Sequence, residues 1–246
     1  MNDAPKSGVA TARPKKRGKP TKSDERSLNR EAILEAAVAL IDEIGLDAFS
    51  VRALAQRLEV YPAAIYWWLP TRNDVLAGVV SHALQNVQPP PETTDWKEWI
   101  ADLMRRYRSV VQQHPKVAPL ITSQLVSNAG VDLKLVERLL SVLKEAGFEG
   151  AKLLAAYDVV LAAKIGFVSM EFAMPPQEES DWADRLKAMT DNIDAVEYPN
   201  LSALRDAMLN RHFILRWQNG AEVPLDESFE AHVYTTIEGL RMLLTR

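Results

Sequence analysis

The chain has no cysteine in its 246 residues, which excludes disulfides, thiol catalysis and zinc sites built on thiolates. Its four histidines, His82, His114, His212 and His232, are widely spaced, and none falls in an H-E-x-x-H pattern, so no metal site is expected. No serine lies in a G-x-S-x-G elbow and no glycine-rich phosphate loop is present, so an enzyme reading has no motif to rest on and no cofactor is expected. Carboxylates are plentiful but scattered along helix faces, as solvated charges usually are. The N-terminus lacks the apolar core of a secretory signal, and no apolar run is expected to reach the eighteen or so residues that a membrane helix needs. A cytoplasmic protein without a membrane partner is the plain expectation. The period-two alternation of strands is missing as well, so the expected fold class is all-α.

What charge there is lies unevenly. The net charge is −4, yet residues 1–27 hold eight Lys/Arg against three acids, a local +5, while residues 28–82 hold four basic and seven acidic residues, a local −3. The first segment has almost no large apolar side chains and several Pro and Gly, so it reads as a disordered basic arm. Arg17-Gly18-Lys19-Pro20 is similar to the short core of minor-groove AT-hook elements, whose cations lie in a narrow groove. That makes Arg17 and Lys19 candidate DNA contacts; a solvated tail is the alternative. An acidic folded domain beside a basic arm suits a division of labour, because each basic contact to phosphate adds to counterion release.

Residues 28–88 read as one compact unit. A first helix over 29–44 carries an apolar stripe of Ile33, Ala36, Ala37, Leu40, Ile41 and Ile44, and Gly45 is a natural stop. Ser50 stands at an N-cap position before a second helix with Val51, Leu54, Ala55 and Leu58 on one face. After a tight turn, Pro62 opens a third, short helix. Ile65 and Leu69 face inward there, which leaves Pro62, Ala63, Tyr66 and Trp67 facing out. Exposed aromatics on a short helix after a tight turn need a surface to touch, and a DNA major groove supplies one. Thr71 and Asp74 form a capping box for a fourth helix, predicted to extend to about Val87. Pro89-Pro90-Pro91 then marks a boundary.

The segment from Arg30 to Leu84 resembles the DNA-binding domain of the TetR family of bacterial transcriptional regulators. The resemblance rests on AILEAAVALIDEIGLDAFSVRALAQRL and on AAIYWWLPTRNDVL, whose tyrosine-aromatic pair and following P-T-R-N-D-V-L are its most specific part. Three positions depart from the family pattern. Glu59 stands where a turn glycine is usual, Tyr61 where a capping Ser or Thr is common, and Trp68 where His is common. By residue type, Arg52 is the candidate for a bidentate guanine contact, a surface arginine bonding a nearby carboxylate being the alternative. Ala63 and Ala64 offer methyl contacts that suit thymine, Tyr66 and Trp67 position the helix on sugar and phosphate, Tyr61 and Pro62 are further candidate DNA contacts, and Arg72 at a helix N-terminus holds a phosphate.

Residues 92–246 read as a larger helical domain for ligand binding and dimerisation. Helices are predicted over 96–114, 119–128, 132–146, 151–172, 201–218 and 226–245, with an irregular excursion at 174–200 around a short helix at 181–190. The 151–172 helix is apolar on most sides and is expected to be buried. The segment RRYRSVVQQHPKVAP is similar to the tetracycline-repressor type of C-terminal domain, where a histidine helps hold a metal-chelated drug; a His-Pro helix end is also found without metal, so none is inferred. The resemblance implies a homodimer built on the last two long helices, with Phe229, Val233, Ile237, Leu240 and Leu244 as the expected interface; core packing within one chain explains the same stripe. It also implies a small-molecule effector, for which Met104, Tyr107, His114, Phe167, Met170 and Phe172 are the candidate lining. The function expected is a repressor released from a palindromic double-stranded operator by that effector. A DNA-binding dimer without an effector, an activator, and a helical enzyme or interaction module are the alternatives.

Overall fold

The computed structural model describes residues 28–123, 132–176, 181–213 and 215–245. The arm contacts expected of Arg17 and Lys19, and the end of the helix expected over 119–128, lie outside them. Among the described residues every regular element is a helix.

The first four helices follow their end signals. Asn29 caps α1 (Arg30–Ile44), its Oδ1 accepting the Ala32 N–H at 2.8 Å, and Ser50 caps α2 (Val51–Arg57) through the Ala53 N–H at 3.1 Å. α3 (Pro62–Trp68) starts on its proline. In α4 (Arg72–Ala83) the capping box is complete, Thr71 Oγ1 accepting from the Asp74 N–H at 3.0 Å and Asp74 Oδ2 from the Thr71 N–H at 2.9 Å. Ile33, Ile41, Leu54, Ile65, Val75 and Val79 form a fully buried centre. Gly78 lets α4 lie close on α1, since a Cβ there would meet Leu34 Cδ2 at 2.5 Å. Two sequence expectations need correction. Ile44, placed in the stripe, is 39% exposed. The fourth helix stops at Ala83, not near Val87: Gln85 and Val87 take acceptors three residues back, at 3.3 and 3.2 Å, a tighter winding ahead of Pro89, which bars Gln88 from the α region. That winding drops Val87 into the next core.

The turn from α2 to α3 holds the backbone strain. The Val60 N–H bonds Ala55 O at 2.9 Å and the Glu59 N–H bonds Gln56 O at 3.2 Å, the paired bonds of a Schellman motif, with Glu59 at φ +54°. The same motif recurs after α7 (Leu133–Glu145), where Phe148 bonds Leu143 O, Gly147 bonds Lys144 O, and a glycine occupies the left-handed position at φ +102°.

The larger domain winds around α8 (Gly150–Glu171), which packs against α5 (Trp96–Gln113), α6 (Ala118–Ser123), α7 and α11 (Asp226–Thr245). α9 (Trp182–Asp191) and α10 (Pro199–Met208) lie between α8 and α11 in the chain. The helix expected to run to residue 218 ends at Met208. Asn210, at φ +57°, turns the chain, and its Oδ1 accepts the N–H groups of Trp217 and Gln218 at 3.1 and 3.0 Å. One core holds the first four helices together with Tyr107, Val111, Leu120, Val168 and Phe172, so it continues across the proline boundary. A second gathers Trp99, Leu103, Leu143, Phe148, Val160 and Phe229.

Two further expectations change at α8. With 22 residues and a mean hydropathy of 1.7 over its most apolar window, it is long and apolar enough to cross a membrane, contrary to the reading of the sequence. Here it is the hub of a helical domain, and it carries two buried charged residues, Lys164 and Glu171. Nor is it buried all round, for Leu154, Val159 and Met170 are 62, 42 and 51% exposed. Lys164 lies with its Nζ 4.8 Å from the centre of the Tyr107 ring. Burial pushes its ammonium down from 10.5 to about 8.

Glu59→Gly should raise stability by about 0.5–1 kcal/mol, and Gly147→Ala should lower it by about 1 kcal/mol, because a Cβ is strained in the left-handed region. Urea midpoints test both; a lower midpoint for Glu59→Gly would remove the strain argument. Lys164 gives a pH dependence of definite sign. Below pH 8 both states hold the proton and the cost of burial is felt in full; between about 8 and 10.5 the unfolded chain binds more protons, so stability rises with pH. Lys164→Met should therefore add about 1–3 kcal/mol at pH 7 and flatten that rise, as read by denaturation at pH 7, 9 and 10.5.

Candidate nucleic-acid interface

α3 has seven residues and is held from beneath by Ile65 and Leu69, which are 0 and 4% exposed. Everything else on it is turned outward to some degree. Tyr61 is 85% exposed and Trp67 75%, with Tyr66 also exposed. Ala63 is exposed, while Pro62 and Ala64 are half-buried. The Tyr61 side chain makes no cap bond to α3, which leaves its ring and hydroxyl uncommitted. Trp68, which the residue pattern did not place on the outer face, is exposed as well and stands edge-on against Trp67, ring centres 4.6 Å apart and planes at 88°. The adjacent tryptophans were the signal for it: on a helix two neighbours cannot both point inward when Ile65 and Leu69 already do.

The cations around this surface divide cleanly. Arg57 is committed to Glu43 at 2.5 Å. Arg52 and Arg72 are exposed and make no ion pair or hydrogen bond among the described residues, so the alternative of a surface pair for Arg52 is not realised. Arg72 is the first residue of α4. The capping box uses the Asp74 N–H, leaving the Arg72 and Asn73 N–H groups open at the positive end of the helix dipole. A folded unit with a net negative sequence charge thus presents free guanidiniums as well as an aromatic ridge. Its acids Asp42 and Glu43 are engaged on α1, with His114 Nδ1 at 2.6 Å and Arg57 respectively. Phosphate contact, helix positioning and base reading are what this surface offers chemically.

The six residues expected to line a ligand cavity do not come together. Tyr107 and Phe172 fill the first core, and Met104 and Phe167 the second. Met170 is at the rim of a cleft of about 220 Å³ with Trp182, Arg216 and Trp217. His114 lines a different cleft, between α1, α4 and α5. The expected dimer stripe also needs correction: Phe229, Val233 and Leu240 are 1, 2 and 1% exposed inside their own chain, and Ile237 and Leu244 pack on the same core. An apolar stripe on a terminal helix faced the core after all. What lies open is the other side. On α8 it comprises Ala155, Val159, Ala162, Gly166 and Met170, and on α11 Ala231, Tyr234, Thr235 and Met242.

Residues 88–244 match the sequence model of the tetracyclin repressor-like C-terminal domain, and residues 33–78 match that of bacterial regulatory proteins, tetR family. An HTH-type transcriptional regulator of Saccharopolyspora erythraea is 32% identical over 178 residues, 71% of this chain and 74% of that protein. Among solved structures, the Streptomyces coelicolor TetR family protein ActR in complex with actinorhodin aligns with a TM-score of 0.65 at 23% identity, covering 89% of this chain and 99% of ActR. BioQ bound to its double-stranded DNA operator aligns with a TM-score of 0.53 at 25% identity, covering 67% of this chain and 97% of BioQ.

The free arginines differ in what they should do. Arg52→Ala should weaken DNA binding by about 1–3 kcal/mol at one base position and relax preference there, whereas Arg72→Ala should weaken all sequences alike and reduce the salt slope by about one. Binding to a set of single-base variants at two salt concentrations separates them. Equal losses on every sequence for both would take base reading away from Arg52.

Proposed function

This chain belongs to the TetR family of bacterial regulatory proteins, and from that premise we propose that it is a homodimeric repressor that grips operator DNA through α3 and lets go when a small molecule binds. The observation that carries this reading is the exposed ridge of Tyr61, Tyr66, Trp67 and Trp68, together with the exposed, unpaired Arg52 and Arg72 at the starts of the neighbouring helices α2 and α4. Two such ridges in a symmetric dimer would engage half-sites roughly 34–36 Å apart, or a small multiple of that. BioQ, a structural relative, is known with an operator, and ActR, of the same fold, with actinorhodin; both support carrying operator and effector to this chain. In this role the chain works in the cytoplasm and catalyses nothing.

The open faces of α8 and α11 support the dimer. Small residues on α8 and the larger Met170, Tyr234 and Met242 present apolar surface with nothing of their own chain over it. Around Gly166 and Gly239 no heavy atom lies within 4 Å of where a Cβ would stand, so a partner helix has room to approach closely. This face replaces the buried stripe as the interface. A second reading keeps operator and dimer but drops the effector, and one observation favours it: Met104, Tyr107 and Phe172, expected to line a cavity, are at most 2% exposed and fill cores instead.

Selection from genomic fragments at two salt concentrations tests the function directly. A palindrome recovered with a steep salt slope supports the repressor; weak, sequence-blind binding overturns it. For the dimer, Gly166→Arg points into open space within its own chain and should leave helicity unchanged. It should halve the mass seen by sedimentation equilibrium and weaken operator binding at least about 100-fold, since one half-site then binds alone. A variant that stays dimeric would move the interface elsewhere.

A further inference from the structure

Among the described residues three charged side chains are buried: Arg108, Lys164 and Glu171. Arg108 and Glu171 answer each other through hydrogen bonds of 2.7 and 2.6 Å. Lys164, 9% exposed, has no such answer. Its Nζ makes no hydrogen bond or ion pair among the described residues, and its charge lies 4.8 Å from the centre of the Tyr107 ring. Burial alone shifts its titration, as expected where no carboxylate stands by. Tyr107 is alike: it is 2% exposed, its hydroxyl has no partner, and burial alone pushes that hydroxyl up. Buried donors are rarely left unmade, and buried charges are normally paired. Both polar ends are also open. Among the described residues the unpartnered side-chain atoms closed to solvent are Asp42 Oδ1 and Arg216 Nη1. Lys164 Nζ and Tyr107 Oη, equally without partners, are not sealed in this way, so each borders a space that water can enter. Their neighbours along the helices are apolar. Met104 stands one turn before Tyr107 on α5, and Val160 and Val168 stand one turn to either side of Lys164 on α8. Met104 and Val160 belong to the second core, Tyr107 and Val168 to the first, so the two donors lie at the seam between the cores.

We propose that this seam binds an organic acid, a monoanion with an apolar body whose carboxylate accepts from Lys164 Nζ and Tyr107 Oη. Two donors with no acceptor of the protein between them select an acceptor. One ammonium balances one negative charge, and the next cation, Arg108, is already taken by Glu171 and Asp226. The apolar neighbours suit a carbon skeleton better than a small hydrated anion. The acid would restore to Lys164 the partner that its burial lacks. Its place links it to DNA, because the Tyr107 ring lies in the core shared with α1–α4. An acid held by both donors draws α5 and α8 together under that core, so its binding and operator binding affect each other reciprocally. The proposal thus names the chemical class of the effector. The binding claim stands apart from the operator reading; the coupling rests on it.

The test uses the full chain and calorimetric titration up to about 10 mM of butanoate and of 4-phenylbutanoate, with butanol and 4-phenylbutanol as neutral matches. At least one acid should saturate one site per chain, its alcohol binding at least about tenfold more weakly. Lys164→Met, which removes an unpaired buried charge and so does not endanger folding, should bind the acid no better than the alcohol. Tyr107→Phe should lose about two- to tenfold. The acid should also raise the urea midpoint of the natural chain and leave that of Lys164→Met unchanged. No saturation by either acid, equal binding of acid and alcohol, or acid binding kept by Lys164→Met overturns the site. Operator affinity measured with and without the acid should differ at least about fivefold; no difference, with the site intact, overturns the coupling. A chain that binds no operator at all sinks the repressor reading and the coupling with it, while the titration still decides the site.

Discussion

The carboxylate of Glu171, wholly buried, accepts from Arg108 Nε at 2.7 Å and Nη2 at 2.6 Å and from the backbone N–H of Leu225 at 2.8 Å. Arg108 also reaches Asp226 at 2.8 Å and lies over the Phe229 ring at 4.7 Å. One side chain of α5 and one of α8 therefore fix the start of α11. The chain before α11 is pinned at the same point: the Gly220 N–H donates to Glu171 O at 2.7 Å, and a Cβ at Gly220 would stand 2.5 Å from Glu171 Cγ. A buried pair of this kind adds little net stability, but removing one partner strands a charge at a cost of about 3–5 kcal/mol. Its effect is to allow one register of the three helices. The faces of α8 and α11 left open to a partner are then fixed in relation to α5, and through α5 to the DNA-binding unit.

Charge is sorted by the same economy of partners. The folded N-terminal unit is acidic by count, which sits badly with DNA until the acids are located. Asp42 and Glu43 stand on α1 and are held there by His114 and Arg57 respectively. Among the described residues of this unit the guanidiniums left free are Arg30, Arg52 and Arg72. A local count of charge along the sequence misses this, because it cannot say which charges cancel each other across helices.

What the sequence made legible was local. Asn29, Ser50 and the Thr71/Asp74 box are end signals read within three or four residues, and each appears as a bond. The left-handed conformation at Glu59 followed from a turn that needs it whatever residue stands there. What failed was the direction of apolar faces. α11 has a continuous apolar stripe and a mixed side, and periodicity weights the former; yet Phe229 and Val233 serve the chain's own core, leaving the mixed side with Tyr234 and Met242 open. α8 is apolar nearly all round, so its period carries no face at all. The candidate cavity failed for a related reason: aromatic and methionine side chains such as Tyr107 and Met104 are as well suited to fill a core as to line a hole, and only packing decides.

These arrangements meet in α8. Its 22 residues span roughly 33 Å at 1.5 Å per residue. Along its length it presents the open face from Ala155 to Met170, while Val168, with Phe172 just past its C-terminal end, lies in the core shared with α1–α4. The open surface and the footing of the DNA-binding unit are thus parts of one helix. A rigid helix cannot tilt at one end without moving the other. In a dimer joined along α8, small rotations are therefore enough to change the distance between two α3 ridges, and no unfolding is needed. A ligand shifts that equilibrium only by as much as it prefers one tilt to the other. The sites that matter most are then those whose walls belong to helices on both sides of the motion.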